Sequence, residues 1–66
     1  MPALKEIVSN EEQELLTLLK TEDVLEDVEQ GVSIVIFQGR SITDLGMKVK
    51  KGEKLVVIPV GSLFGG

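Results

Sequence analysis

The sequence predicts a small α+β domain in which a mixed β-sheet packs on one main helix. Leucines recur at helical spacing within residues 10–20, which is typical of a helix with one buried face. After Gly31 the pattern changes to two runs rich in β-branched residues, VSIVIF and KLVVIPV, which are typical of strands. With 66 residues, we expect one domain over residues 1–66.

Composition excludes several classes of function. The chain has no Cys and no His, so Ser-His and Cys-His catalysis are excluded and a structural zinc site is not expected. The net charge of −4 argues against binding to a nucleic-acid backbone. No apolar run approaches the ~20 residues that span a bilayer, and no signal peptide pattern is present. We therefore expect a cytoplasmic protein with neither nucleic-acid nor membrane partners.

The sequence pattern of the first half of the chain predicts helices. The segment 2–8 fits either a helical face or one strand. Ser9 and Glu12 form a capping-box pattern, which predicts a helix over residues 10–20. Its apolar stripe is expected to consist of Leu15, Leu16, Leu18 and Leu19. Cap-type residues near Asp23 indicate a break, and a second short helix is expected over 22–29. Gly31 is the expected end of that helix.

The second half predicts strands. Residues 32–37 are almost all apolar, which predicts a central strand covered on both faces, with Ile34 in the core. A tight turn is expected at residues 38–40, because Gly39 can adopt a positive φ. A short returning strand follows at 41–43. The last strand is expected at 54–60, where Pro59 marks either its end or a sheet edge.

The C-terminal residues carry the candidate site. The chain ends in Gly65-Gly66 after a tail expected to be flexible over 61–66. Without a Cβ, these glycines can lie extended in a narrow channel of another protein. The group offered there is the α-carboxylate of Gly66. Leu63 and Phe64 are candidate docking residues for a partner, although they could instead fold back on the sheet.

The order of these elements resembles the ubiquitin-like sulfur-carrier family of the thiamin and molybdopterin pathways, which includes small protein modifiers. The resemblance covers residues 10–66 and lies in VSIVIF-QGR-SIT, in VKKGEKLVVIPV and in the terminal Gly-Gly. It implies a β-grasp-like fold. Only eight residues precede Ser9, so the N-terminal half of that fold would be shortened and a sheet edge would stay unpaired.

The same resemblance implies a function. An ATP-dependent adenylating enzyme of the E1 type would activate the Gly66 carboxylate. A sulfur donor would then give a thiocarboxylate, or a lysine amine an isopeptide. The chain itself would be neither an enzyme nor a cofactor-binding protein, and Gly65 and Gly66 would be its carrier residues.

A second interpretation is a small dimeric interaction or regulatory module. The segment LEDVEQGVSIVIFQGRSI loosely resembles the N-terminal region of antitoxins of the Phd type, although its acidic helix does not suit DNA. A chain this short, without disulfides and with few aromatic residues, has little core of its own. We therefore expect a homodimer or larger assembly under either interpretation.

Overall fold

The computed structural model describes residues 4–61. Two helices, α1 (Leu15–Thr21) and α2 (Leu25–Glu29), pack on a four-stranded sheet. The order of its strands across the sheet is β1 (Lys5–Val8), β6 (Lys54–Pro59), β3 (Ser33–Phe37) and β4 (Arg40–Ile42). Two further short strands, β2 (Gln13–Glu14) and β5 (Lys48–Val49), pair with each other.

The expected α+β class is confirmed, but the expected mixed sheet is wrong. Every described strand pair is antiparallel, including the pair between β1 and β6. β1 resolves the ambiguity of the N-terminal segment in favour of a strand, because Ile7 lies opposite Leu55 and both side chains enter the core. The described helical layer consists of two short helices rather than one main helix.

The core lies between the helices and one face of the sheet, which we call the inner face. Leu15, Leu18 and Leu19 of α1 are at most 3% exposed, as expected from their spacing. Leu16, expected in the same stripe, is 38% exposed because it lies on the side of α1 that faces away from the sheet. The three buried leucines share the core cluster with inner-face residues of three strands, namely Ile7, Val35, Leu55 and Val57, and with Val49 of β5. The central position of β3 is confirmed, since β6 and β4 flank it.

Residues 10–14 are not helical, which corrects the predicted start of the first helix. Ser9 is buried, and its hydroxyl donates to the carbonyl of Glu11 instead of capping a helix. Gln13 and Glu14 pair with β5. α1 begins at Leu15 because distant carbonyls accept its first N–H groups: Leu15 N donates to Met47 O (2.8 Å) and Leu16 N to Leu45 O (2.9 Å).

Both helices end in the same way, with a residue in the left-handed region. After α1 this residue is Asp23 (φ 62°), and Val24 N donates to Leu19 O at 3.0 Å. After α2 it is Gly31 (φ 77°), as predicted, and Val32 N donates to Asp27 O at 2.9 Å. These six-to-one bonds are Schellman motifs, which satisfy carbonyls at the helix ends.

The turn between β3 and β4 is confirmed. Phe37 pairs with Arg40, which leaves Gln38 (φ 54°) and Gly39 (φ 80°) as a two-residue loop. Two successive positive φ angles are the signature of a primed hairpin turn, whose twist matches that of the flanking strands. The loop therefore sets the register of β4 on β3.

Candidate functional site

The predicted site residues Leu63, Phe64, Gly65 and Gly66 lie outside the described residues. The structure does describe the strand that leads to them. β6 lies between β1 and β3, with antiparallel partners along both sides. The pairing with β3 continues beyond the strand, because Val60 N donates to Val32 O at 2.8 Å. Gly61 follows and is exposed.

Pro59 marks the end of an interior strand and not a sheet edge. It lies opposite Ser33, at the beginning of β3. On the other side of β6, the described pairing with β1 extends only to Val57. Proline is thus placed at the last residue of the strand, which is one of the few positions in a sheet that tolerate a residue without an N–H group.

A groove opens beside the C-terminal end of β6, where the chain leaves the sheet. It lies between α2 and the β3–β4 hairpin. Its volume is about 540 Å³. The lining combines four aliphatic side chains with three hydroxyl-bearing residues, one carboxylate and one glycine: it consists of Val28, Glu29, Gly31, Ser33, Ile34, Ser41, Ile42, Thr43 and Leu45. Since Val32 lies between two lining residues and pairs with Val60, the chain leaves the sheet next to the groove.

The face of the sheet that points away from the helices, its outer face, is also rich in aliphatic residues. Its strand residues include two cross-strand pairs in the middle of the sheet, Ile34 with Ile58 and Ile36 with Val56. Val8 of β1 continues the same face and is 59% exposed. Leu4 and Val32, each one residue before a strand, follow the same alternation and are 57% and 52% exposed.

The central strand β3 differs from its prediction in two respects. Ile34 is partly exposed on the outer face, and the core residue of β3 is its neighbour Val35, which is 0% exposed. The prediction that both faces of β3 are covered is also wrong for the described residues, because both helices pack on the inner face. The run VSIVIF contains the signal for this uncovered surface. Its apolar residues do not alternate with polar ones, a pattern that is typical of two-sided burial but also fits a strand with one exposed apolar face.

Charge is distributed unequally between the two sides of the molecule. Eight of the 11 acidic residues lie between Glu11 and Glu29, the segment that contains both helices. On the outer face the charged strand residues are Glu6 and Lys54, whose carboxylate and ammonium groups are 4.0 Å apart. The segment that forms the helical side is therefore acidic, whereas the two charged strand residues described on the outer face balance each other.

Ion pairing also joins the sheet to the helices. Lys5 on β1 lies 3.6 Å from the carboxylate of Glu22 and donates to the Glu22 carbonyl at 2.9 Å. A lysine in this position stabilises the C-terminal end of α1. This contact is half-exposed and serves the fold, so it does not mark a catalytic group.

Among residues 4–61 no cluster of His, Cys, Asp or Glu has the arrangement needed to hold a metal ion. Within the same range, no helix is long and apolar enough to cross a membrane. The chain matches no protein-family model, no curated protein and no solved structure. The candidate functional surfaces of the described residues are thus the C-terminal end of β6 with its groove, the acidic helical side and the outer face.

Proposed function

We propose that the chain is a ubiquitin-like sulfur carrier or protein modifier whose working group is the C-terminal carboxylate of Gly66. The observation that supports this proposal is the position of β6. β6 is an interior strand that is hydrogen-bonded to a neighbour on each side, so the residue from which the C-terminal segment starts is anchored in the sheet. A β-grasp-like body and a cytoplasmic location, where ATP is present, belong to the same proposal.

Activation would proceed on a separate adenylating enzyme. A carboxylate oxygen of Gly66 attacks the α-phosphorus of ATP, and pyrophosphate leaves with the bonding electrons. The resulting acyl adenylate is a good electrophile. Hydrosulfide then attacks the carbonyl carbon, AMP leaves, and a thiocarboxylate and a proton are formed. A lysine amine attacking in the same way gives an isopeptide.

The surfaces near the exit would suit such an enzyme. The acidic helical side complements a basic docking site, which increases the rate of encounter and selects against acidic partners. Leu63 and Phe64 would make apolar contacts with the enzyme and so hold the C-terminal segment in place. Gly65 would let the last residues pass through a channel too narrow for a Cβ.

The test is ATP–pyrophosphate exchange by a candidate adenylating enzyme from the same cell. The intact chain should support exchange, and deletion of Gly66 should abolish it. Gly65→Val should also block exchange, because a branched side chain would obstruct the approach to ATP. Thermal melting should stay unchanged in both variants, since the last residues of a chain seldom contribute to its core.

Gly61→Ala is the matched control. A Cβ at Gly61 would meet no atom of residues 4–61 within 4 Å, and the residue is exposed. This variant should support exchange as the intact chain does. Equal exchange by the intact chain and the Gly66 deletion, or no exchange with any such enzyme, would contradict the carrier proposal.

The second candidate function is a dimeric interaction module without carrier chemistry. The outer face favours it, because a sheet with aliphatic residues on both sides is expected to be covered on both sides. This candidate predicts partner binding that is insensitive to loss of Gly66, which distinguishes it from the carrier.

A further inference from the structure

We propose that the outer face binds the same face of a second copy, so that two sheets pack face to face. This proposal concerns a different surface from the C-terminus and does not depend on carrier chemistry. The proposed interface is centred on Ile34, Ile36, Val56 and Ile58, with Val8 toward its edge.

The composition of the surface calls for an apolar cover. The four central residues form a two-by-two array across β3 and β6, and all are β-branched. Antiparallel sheets with one wet face normally carry polar residues on that face. Contiguous aliphatic surface of this kind is typical of an interface. Two such sheets can interdigitate at a spacing of about 10 Å, as in β-sandwiches.

The charge distribution selects a second copy as the occupant. Each chain carries a net charge of −4, so most approaches between two copies bring like charges together. The outer face is the exception, because Glu6 and Lys54 balance each other there. A twofold interface places the same patch on both partners and therefore needs a surface that does not repel itself. The acidic helical sides then point away from each other, into water.

The small core supports the same conclusion. The buried cluster within the described residues contains eight apolar side chains, all on the helical side of the sheet. Domains of about 60 residues bury too little surface to be more than marginally stable. A face-to-face dimer would add a second apolar layer without any change in the fold of either copy.

Sedimentation equilibrium of the full chain, over a range of concentrations, tests the proposal. The intact chain should show a reversible monomer–dimer equilibrium. The double variant Ile36→Thr, Val56→Thr should raise the dissociation constant by at least about a hundredfold, because a twofold dimer loses both aliphatic groups twice. Threonine keeps the β-branched shape, and circular dichroism should confirm that the variant is folded.

Leu16→Gln is the matched control, since Leu16 is an aliphatic residue on α1 that is 38% exposed. It should leave the dissociation constant unchanged. Amide chemical shifts recorded on dilution should change in β3 and β6 and stay constant in α1.

Three outcomes would overturn the proposal. The first is a chain that stays monomeric at every concentration, which would assign the outer face to a different protein. The second is a dimer that the double threonine variant does not weaken. The third is a monomer that dimerises only after residues 62–66 are deleted, which would mean that the chain's own C-terminal segment covers the face.

Discussion

The two faces of the four-stranded sheet are built from similar residues and have different surroundings. In β6 the inner residues Leu55 and Val57 are 1% and 4% exposed, whereas their outer neighbours Val56 and Ile58 remain partly exposed. The difference arises from the helices, which pack on the inner face. Apolarity along a strand therefore indicates which residues can be buried, and the position of the second layer decides which of them are.

The largest expected effect tests the layer that covers the inner face. Leu19→Ala should lower the free energy of unfolding by about 2–5 kcal/mol, because it leaves a cavity at a fully buried position. Leu16→Ala is the matched control on the same helix, with the same chemical change at a residue that is 38% exposed. Urea denaturation of both variants checks the prediction, and equal losses would contradict the assignment of the core.

The next effect compares the two faces directly. Val57→Ala should cost about 2 kcal/mol, which is the transfer free energy of two methyl groups plus a cavity contribution. Val56→Ala makes the same change on the next residue of β6 and should cost less than about 1 kcal/mol in the monomer.

Both valine variants should be unfolded thermally at several concentrations. Because a dimer is stabilised by mass action, the melting temperature of the intact chain should rise with concentration, and Val56→Ala should weaken that dependence. A larger loss for Val56 than for Val57 in dilute solution would reverse the assignment of inner and outer faces.

The smallest expected effect concerns the residues that end the two helices. Asp23→Gly should raise the free energy of unfolding by about 0.5 kcal/mol, because Asp23 has a φ of 62° and glycine adopts this region without strain. The gain is modest, since glycine also increases the entropy of the unfolded chain.

Gly31→Ala is the opposite change at the end of α2 and should be destabilising. Within the described part of the chain, a Cβ there would meet no atom within 4 Å, so its cost would come from the φ of 77°. Denaturation curves check both variants, and neither should alter dimerisation. A stabilising Gly31→Ala would contradict the helix-end geometry.

Local patterns identified the elements whose determinants lie within a few residues. The β3–β4 turn was predictable because Gly39 is suited to a positive φ, and the end of α2 because Gly31 is. The capping-box pattern at Ser9 failed because Ser9 packs against a distant loop: Ser9 N donates to Glu53 O at 2.9 Å and Gly52 N to Ser9 O at 2.7 Å. A sequence window around Ser9 contains no information about that loop.

The candidate carrier residues rest on terminal chemistry rather than on the fold. Gly65 and Gly66 were proposed from their chemistry and position in the chain, and they lie outside residues 4–61. The outer face could have been proposed from the unbroken apolar runs of β3 and β6. Sequence alone does not reveal this face, because a strand that is apolar on both sides shows the same pattern whether its neighbours cover both faces or leave one exposed.

Sequence pattern alone was enough to predict that this chain is α+β, that a central strand lies within residues 32–37 and that the leucines at positions 15, 18 and 19 face a core. These features follow from residue spacing, which fixes the side of an element on which a residue lies. Only the tertiary structure decided that α1 begins at Leu15, that the sheet is antiparallel and that Val35 rather than Ile34 is buried. Each of these depends on contacts between residues far apart in the chain, because distant carbonyls, strand partners and the helical layer supply what no local pattern contains.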